Sequence, residues 1–126
     1  QLENTIVYSE TCEFLGVDDA IDLSMANALL AGGARAVVGY VNNVYTVYSR
    51  SMLWVTVNHL ILGQPIEQAV AHAKDTYGEN DLVWYTSQGG QRPHAAAAYT
   101  MLLGDANAQL TVHESAPAFS EQQKAA

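Results

Sequence analysis

"TIVYSETCEFLGVDD", residues 5–19, opens with Thr-Ile-Val-Tyr-Ser, β-branched and aromatic and without charge, as in a short strand buried on both faces. Asp18 and Asp19 then offer N-cap chemistry for a helix, because a carboxylate there accepts free N–H groups of the first turn. Ile21, Leu23, Met25, Ala26, Leu29 and Leu30 supply its apolar positions, and Gly32-Gly33 stops it. A second continuous apolar run, "ARAVVGYV" at 34–41, follows at once. Strand, helix and strand with short joints form a right-handed βαβ unit, which implies a parallel pair.

After this unit Asn42-Asn43 breaks the pattern, and residues 49–62 read as a long helix with Met52, Leu53, Val55, Leu60, Ile61 and Leu62 apolar. Gly63-Gln64-Pro65 ends it, and Pro65 is placed to start a helix over Ile66 to Tyr77 that Gly78 closes. "DLVWYTS" at 81–87 reads as a strand or extended arm, followed by a loop holding Gly89-Gly90 and Pro93. Residues Ala97 to Leu103 read as a last strand before Gly104-Asp105. The expected fold is α/β, a three-layer sandwich around a mostly parallel sheet of three or four strands, over residues 1–112. Residues 113–126, rich in alanine, glutamine and glutamate, read as a solvated tail. A parallel sheet that begins with its first strand at residue 5 has one uncovered edge, so upstream strands or a partner chain are expected.

Composition narrows the function classes. With 126 residues, 49% apolar and only 14% charged, the chain is one domain at most and is not intrinsically disordered. Its 13 acids against 5 bases give a net charge of −8, which argues against nucleic acid or an anionic membrane as partner. No apolar run approaches the roughly 18 residues needed to span a bilayer, and no basic-then-apolar signal pattern is present. The chain opens on Gln1, as a processed product or a trimmed piece would. Trp54, Trp84 and the seven tyrosines read as core residues.

Cys12 is the single cysteine, so no internal disulfide can form and the thiol is judged by its surroundings. It falls at the C-terminal end of the first strand, where open parallel α/β sheets place ligands and reactive groups. The following helix would aim its positive end at the same rim and favour thiolate, whereas Glu10 and Glu13 would oppose it. Two readings stay open on these residues: a small buried hydrophobe, or a nucleophile that needs an imidazole. Of the four histidines, His59 and His72 fall inside helices, His94 precedes the last strand and His113 lies in the tail; none has metal-ligand spacing. No metal site is expected. Asp18, Asp19 and Asp22 read as a helix cap and a solvated turn, not a calcium site. "LAGGARAVVG" has its glycines before the strand, not after it, so a dinucleotide loop is excluded.

Four segments in order carry a resemblance: the strand ending in "SETCE", the helix and strand "ALLAGGARAVVGYV", the hairpin "LILGQPIEQAVAHA", and the closing "AAAAYTMLLGDANAQL". Over residues 5–110 this order resembles the C-terminal half of caspase-fold cysteine peptidases, closest to the CHAT-like and gingipain-like branches. The family closes on Leu-x-Gly-Asp-Pro; here Ala106 stands in place of the proline. The resemblance implies a thiol protease half with Cys12 as nucleophile and its backbone N–H as an oxyanion donor. It puts Glu10 at the wall of a pocket for a basic P1 side chain, with Tyr40, Asn42 and Asn43 on another wall. It implies a peptide or protein substrate and no cofactor. The family's catalytic histidine comes from a His-Gly motif upstream, and none of the eleven residues before Cys12 is histidine. The histidine would therefore come from upstream sequence, another chain or a second protomer. The alternatives are a non-catalytic caspase-like interaction domain, and an unrelated α/β domain with Cys12 in its core.

Overall fold

A computed structural model describes residues 2–77, 81–84, 91–94 and 96–110. In chain order the elements are β1 (Ile6–Tyr8), β2 (Gly16–Val17), β3 (Ala20–Ile21), α1 (Ser24–Ala31), β4 (Ala36–Tyr40), α2 (Thr46–Ile61), α3 (Ile66–Tyr77), β5 (Asp81–Trp84), β6 (Gln91–His94), α4 (Ala96–Tyr99) and β7 (Thr100–Gly104). The protein is mixed α/β. Gly78, Gly89-Gly90, residues 85–87 and the tail lie outside the described residues.

The main sheet has the order β1-β4-β7, with β4 in the middle and all five of its residues buried. Its alternation sorts the two faces. Ala36 and Val38 pack with Leu60, Ile66, Ala69 and Val70 of α2 and α3, together with Ala108. Val37 points the other way, into a cluster with Leu15, Ala26, Ala34 and Val41 against α1. Helices thus cover both faces of the sheet. Burying a valine side chain contributes about 1.5–3 kcal/mol, so Val37 and Val38, both fully buried, anchor the two layers to one strand.

β1 pairs parallel to β4, Ile6 opposite Ala36 and Tyr8 opposite Val38, as the βαβ reading requires. The third strand corrects the expected mostly parallel sheet: β7 runs antiparallel to β4, from Ala36 opposite Gly104 to Tyr40 opposite Thr100. The reason is the helix count. One helix carries the chain back to the start of the sheet and gives a parallel strand; α2 and α3 form a two-helix hairpin that returns it toward the end where β4 finished, and β7, reached through the β5–β6 hairpin and α4, runs back along β4. β7 is also shorter than expected. Ala96–Tyr99 keep the helical preference of alanine, the Thr100 hydroxyl donates to the Ala96 carbonyl at 2.7 Å, and the strand starts only there.

The chain closes on Gly104-Asp105. Gly104 has φ +96°, and a Cβ there would lie 2.5 Å from the Arg35 carbonyl oxygen, so glycine is required for the edge to lie against β4. Asp105 then pairs with the Arg35 guanidinium and accepts the Asn107 N–H at 2.9 Å. The Leu-Gly-Asp sequence is thus accounted for by the end of the sheet.

Three further expectations are corrected. Asp18 and Asp19 cap no helix; they form the tip of the small β2–β3 hairpin, where Val17 faces Ala20. α1 begins at Ser24 with Leu23 at its cap position, and the Ser24 N–H donates to Asp22 Oδ1 at 2.9 Å, so the carboxylate that meets the first turn is Asp22. Pro93 lies in β6, opposite Leu82 of β5, in a two-stranded antiparallel sheet whose edges tolerate proline. α2 starts three residues earlier than expected, at Thr46, and buries Ser49, Met52, Thr56 and Leu60, leaving Ile61 and Leu62 exposed. α3 has the expected bounds.

Candidate active site around Cys12

Cys12 is exposed, which sets aside the reading of a core sulfur. Its loop leaves β1 with the Ser9 N–H still bonded to the Val38 carbonyl, then folds over the end of β4. The fastening is backbone to backbone: Glu13 N–H to Asn42 O at 2.9 Å, Leu15 N–H to Tyr40 O at 3.0 Å, and Asn42 N–H to Gly16 O at 2.9 Å. Glu13 and Asn42 face each other there, both with positive φ, +56° and +65°. Asparagine tolerates that conformation well, and its side chain adds a further tie by accepting the Asp18 N–H on Oδ1.

Under the loop, Phe14 lies across Gly39, where a Cβ would come within 2.5 Å of the Phe14 ring. Above it, the Cys12 Sγ–H donates to the Val44 carbonyl at 3.2 Å. Thr11 N–H reaches Ser9 Oγ and Glu13 N–H reaches Asn42, but the Cys12 N–H has no hydrogen-bond partner among the described residues. A thiol and a free N–H on one residue, at the C-terminal end of a parallel strand, can serve attack on a carbonyl carbon and acceptance of the resulting oxyanion.

The expected pocket residues divide. Glu10 lines an open groove of about 470 Å³ with Arg50, Ser51, Leu53, Trp54 and Tyr77. Among the described residues the one ion pair joins Arg35 to Asp105, so Glu10 and Arg50 share this groove without pairing. Asn43 is exposed beside the loop. Asn42 is occupied as the latch just described. Tyr40 lines no surface: as an even-phase residue of β4 it points beneath α2 with none of its side chain exposed. Its hydroxyl meets Tyr8 Oη at 2.8 Å and donates to the Ser49 carbonyl at 3.4 Å. Burial pushes the Tyr40 phenol up to about 12, and burial together with the Tyr40 hydroxyl raises Tyr8 as well. Both stay neutral and brace the floor of the site.

No described imidazole side chain reaches Cys12. His59 and His72 stack face to face, centroids 4.1 Å apart at 7°, near the far end of α2. Thirteen helical steps lead from Thr46 to His59, a rise of about 20 Å from the rim that holds Val44 and Cys12. His94 is described in its backbone alone, and His113 lies outside the described residues, as does the rest of the tail. No group of three or more His, Cys, Asp or Glu able to hold a metal ion occurs among the described residues, and no described helix is long and apolar enough to cross a membrane. Sequence reasoning missed Arg50, Trp54 and Tyr77 as groove residues. The available signal was α2 itself, whose apolar residues fall on opposite sides, Met52 and Leu60 on one and Val47, Trp54 and Ile61 on the other, more than one buried stripe can absorb.

The chain matches no family model, no curated protein and no solved structure.

Proposed function

We propose that the chain is the nucleophile-bearing half of a caspase-like cysteine endopeptidase, with Cys12 attacking the scissile carbonyl and the catalytic imidazole supplied from outside residues 1–126. The observation that carries this reading is the exposed thiol on a pinned loop just past the C-terminal end of a parallel strand. The Cys12 N–H has no hydrogen-bond partner among the described residues, and Glu10, two residues back, lines an open groove.

In this mechanism the imidazole takes the Sγ proton from its resting bond to Val44. The sulfur forms the S–C bond, and the carbonyl oxygen, now negative, accepts the Cys12 N–H. The imidazolium protonates the leaving amine as the C–N bond breaks, and water then hydrolyses the thioester, returning the proton to sulfur. Glu10 receives the ammonium or guanidinium of a basic P1 side chain, whose aliphatic stem lies along Trp54 and Tyr77. Arg50 stands in the same groove and repels a basic side chain that enters too far.

The test is cleavage of peptides by the protein expressed from its complete gene. Arg or Lys at P1 should be preferred over Glu or Leu, and Cys12→Ala should abolish turnover. Preference for Glu or Leu would overturn the P1 assignment, and turnover that survives Cys12→Ala would overturn the mechanism. A second reading, a caspase-like interaction domain without catalysis, is favoured by one observation, the Sγ–H bond to Val44 in place of an imidazole. It predicts no turnover with any peptide.

A further inference from the structure

α2 carries two stripes. One is buried on the sheet through Ser49, Met52, Thr56 and Leu60. The opposite one runs Val47, Ser51, Trp54, Asn58, Ile61, alternating steps of four and three, the spacing by which one helix packs along another. Its large apolar members are open to solvent: Val47 is 72% exposed, Trp54 70%, Ile61 66% and the adjoining Leu62 74%. Ser51 turns its hydroxyl back onto the Val47 carbonyl at 2.8 Å and so adds no unmet polar group to the stripe.

We propose that this face binds a second copy of the same chain, α2 against α2, antiparallel about a two-fold axis at Trp54. The stripe is self-complementary in that arrangement: Val47 and Ile61 lie seven residues to either side of Trp54, so each meets the other across the axis. Leu62 falls against Thr46 and the half-exposed Tyr45.

Charge favours the same occupant. The chain has 13 acids, yet none between Leu23 and Ile66, so α2 itself brings no carboxylate to the seam. The one permanent cation of α2 is Arg50. Antiparallel pairing brings it beside Asn58 of the other copy, near the negative end of that helix, where the amide oxygen accepts from the guanidinium.

Size agrees as well. The open side chains of the stripe present on the order of 500 Å² per copy, about 1,000 Å² for the pair, the area at which specific interfaces begin. The second copy would also roof the Glu10 groove, because Arg50, Ser51 and Trp54 line both surfaces. The inference does not depend on the peptidase reading.

Sedimentation equilibrium of the 126-residue chain tests it. The expected mass is twice 13.6 kDa at micromolar concentration, with Trp54→Glu weakening association at least tenfold while far-ultraviolet circular dichroism is unchanged. In a Cys12→Ala background, Trp54→Cys should form a disulfide between copies on mild oxidation, since this position alone in the stripe faces itself. A wild-type chain that stays monomeric at high micromolar concentration overturns the proposal, as does a dimer that survives Trp54→Glu. A monomer whose Cys12 still supports turnover in the complete gene product would sink this inference and leave the peptidase reading standing; a dimer without turnover would do the reverse.

Discussion

Replacing Gly39 with alanine should shift the Cys12 loop from beneath. The new Cβ would sit 2.5 Å from Phe14 Cδ1, 3.3 Å from Cε1 and 3.4 Å from Leu15 Cγ. Carbon atoms in contact prefer about 3.5–4.0 Å, so the first overlap exceeds 1 Å, too much for bond bending to absorb. β4 cannot move away, held by β1 on one side and β7 on the other. Phe14 must therefore turn out of its cluster, and the loop must lift. Overpacking of this kind costs about 1–3 kcal/mol, and with a rigid ring as the obstacle the upper half of that range is expected. In urea the midpoint should fall by about 1 M with the slope unchanged. Iodoacetamide should label Cys12 severalfold faster, as the bond to Val44 is lost. Phe14→Ala removes the obstacle, so in the double variant the two costs should fall short of their sum by at least about 1 kcal/mol. A Gly39→Ala protein within about 0.5 kcal/mol of wild type, or costs that simply add, would refute the packing argument.

Three further outcomes are expected. Tyr40, raised to about 12 in the fold, titrates near 10 when unfolded, so its contribution is intact below pH 10 and is lost as pH rises toward 12; the difference corresponds to about 2–3 kcal/mol, and Tyr40→Phe should flatten that part of the alkaline limb of chemical denaturation. Asp105, held below the usual carboxylate range by the hydrogen bond from Arg35 and then by the Asn107 N–H, contributes stability above its unfolded value near 4 that is lost as pH falls further; an acid limb unchanged by Asp105→Asn would show that the pair does not couple to folding. Met52, fully buried on the inner stripe of α2, should cost about 2–5 kcal/mol on truncation to alanine, whereas the exposed Val47→Ala should stay within about 0.5 kcal/mol in the monomer; calorimetry separates the two.

The parts of the fold that sequence conveyed are those where local pattern and tertiary role agree. β1 and β4 read as apolar runs because both are covered, and α3 read to the residue because Pro65 starts it and its buried positions Ile66, Ala69, Val70 and Ala73 keep one face. The direction of β7 was not readable from its own residues, since it depends on how many helices precede it. Asp18-Asp19 satisfied the chemistry of a cap as well as that of a hairpin tip, and only the pairing of Val17 with Ala20 decides between them. Ala96–Tyr99 and Thr100–Gly104 form one largely apolar stretch in which no glycine or proline marks the change from helix to strand at Thr100. At the site, position put Cys12 just past the end of β1 but did not decide between a buried and an exposed sulfur. Tyr40 was misplaced because the wall was assigned to a segment, while strand alternation sends that side chain under α2 beside Tyr8. Trp54 was assigned to the core on its residue type and is solvent-exposed.

We propose that Cys12 is a nucleophile completed by a histidine from outside these residues. It is tested most directly by the rate at which an electrophilic peptide with arginine at P1 alkylates Cys12, measured in the 126-residue chain and in the protein expressed from its complete gene. Free-thiol kinetics, linear in probe concentration, are expected for the chain alone. In the complete protein the expected rate saturates, exceeds the free thiol by orders of magnitude, and drops on Glu10→Gln. Linear kinetics no faster than a free thiol in the complete protein would contradict it.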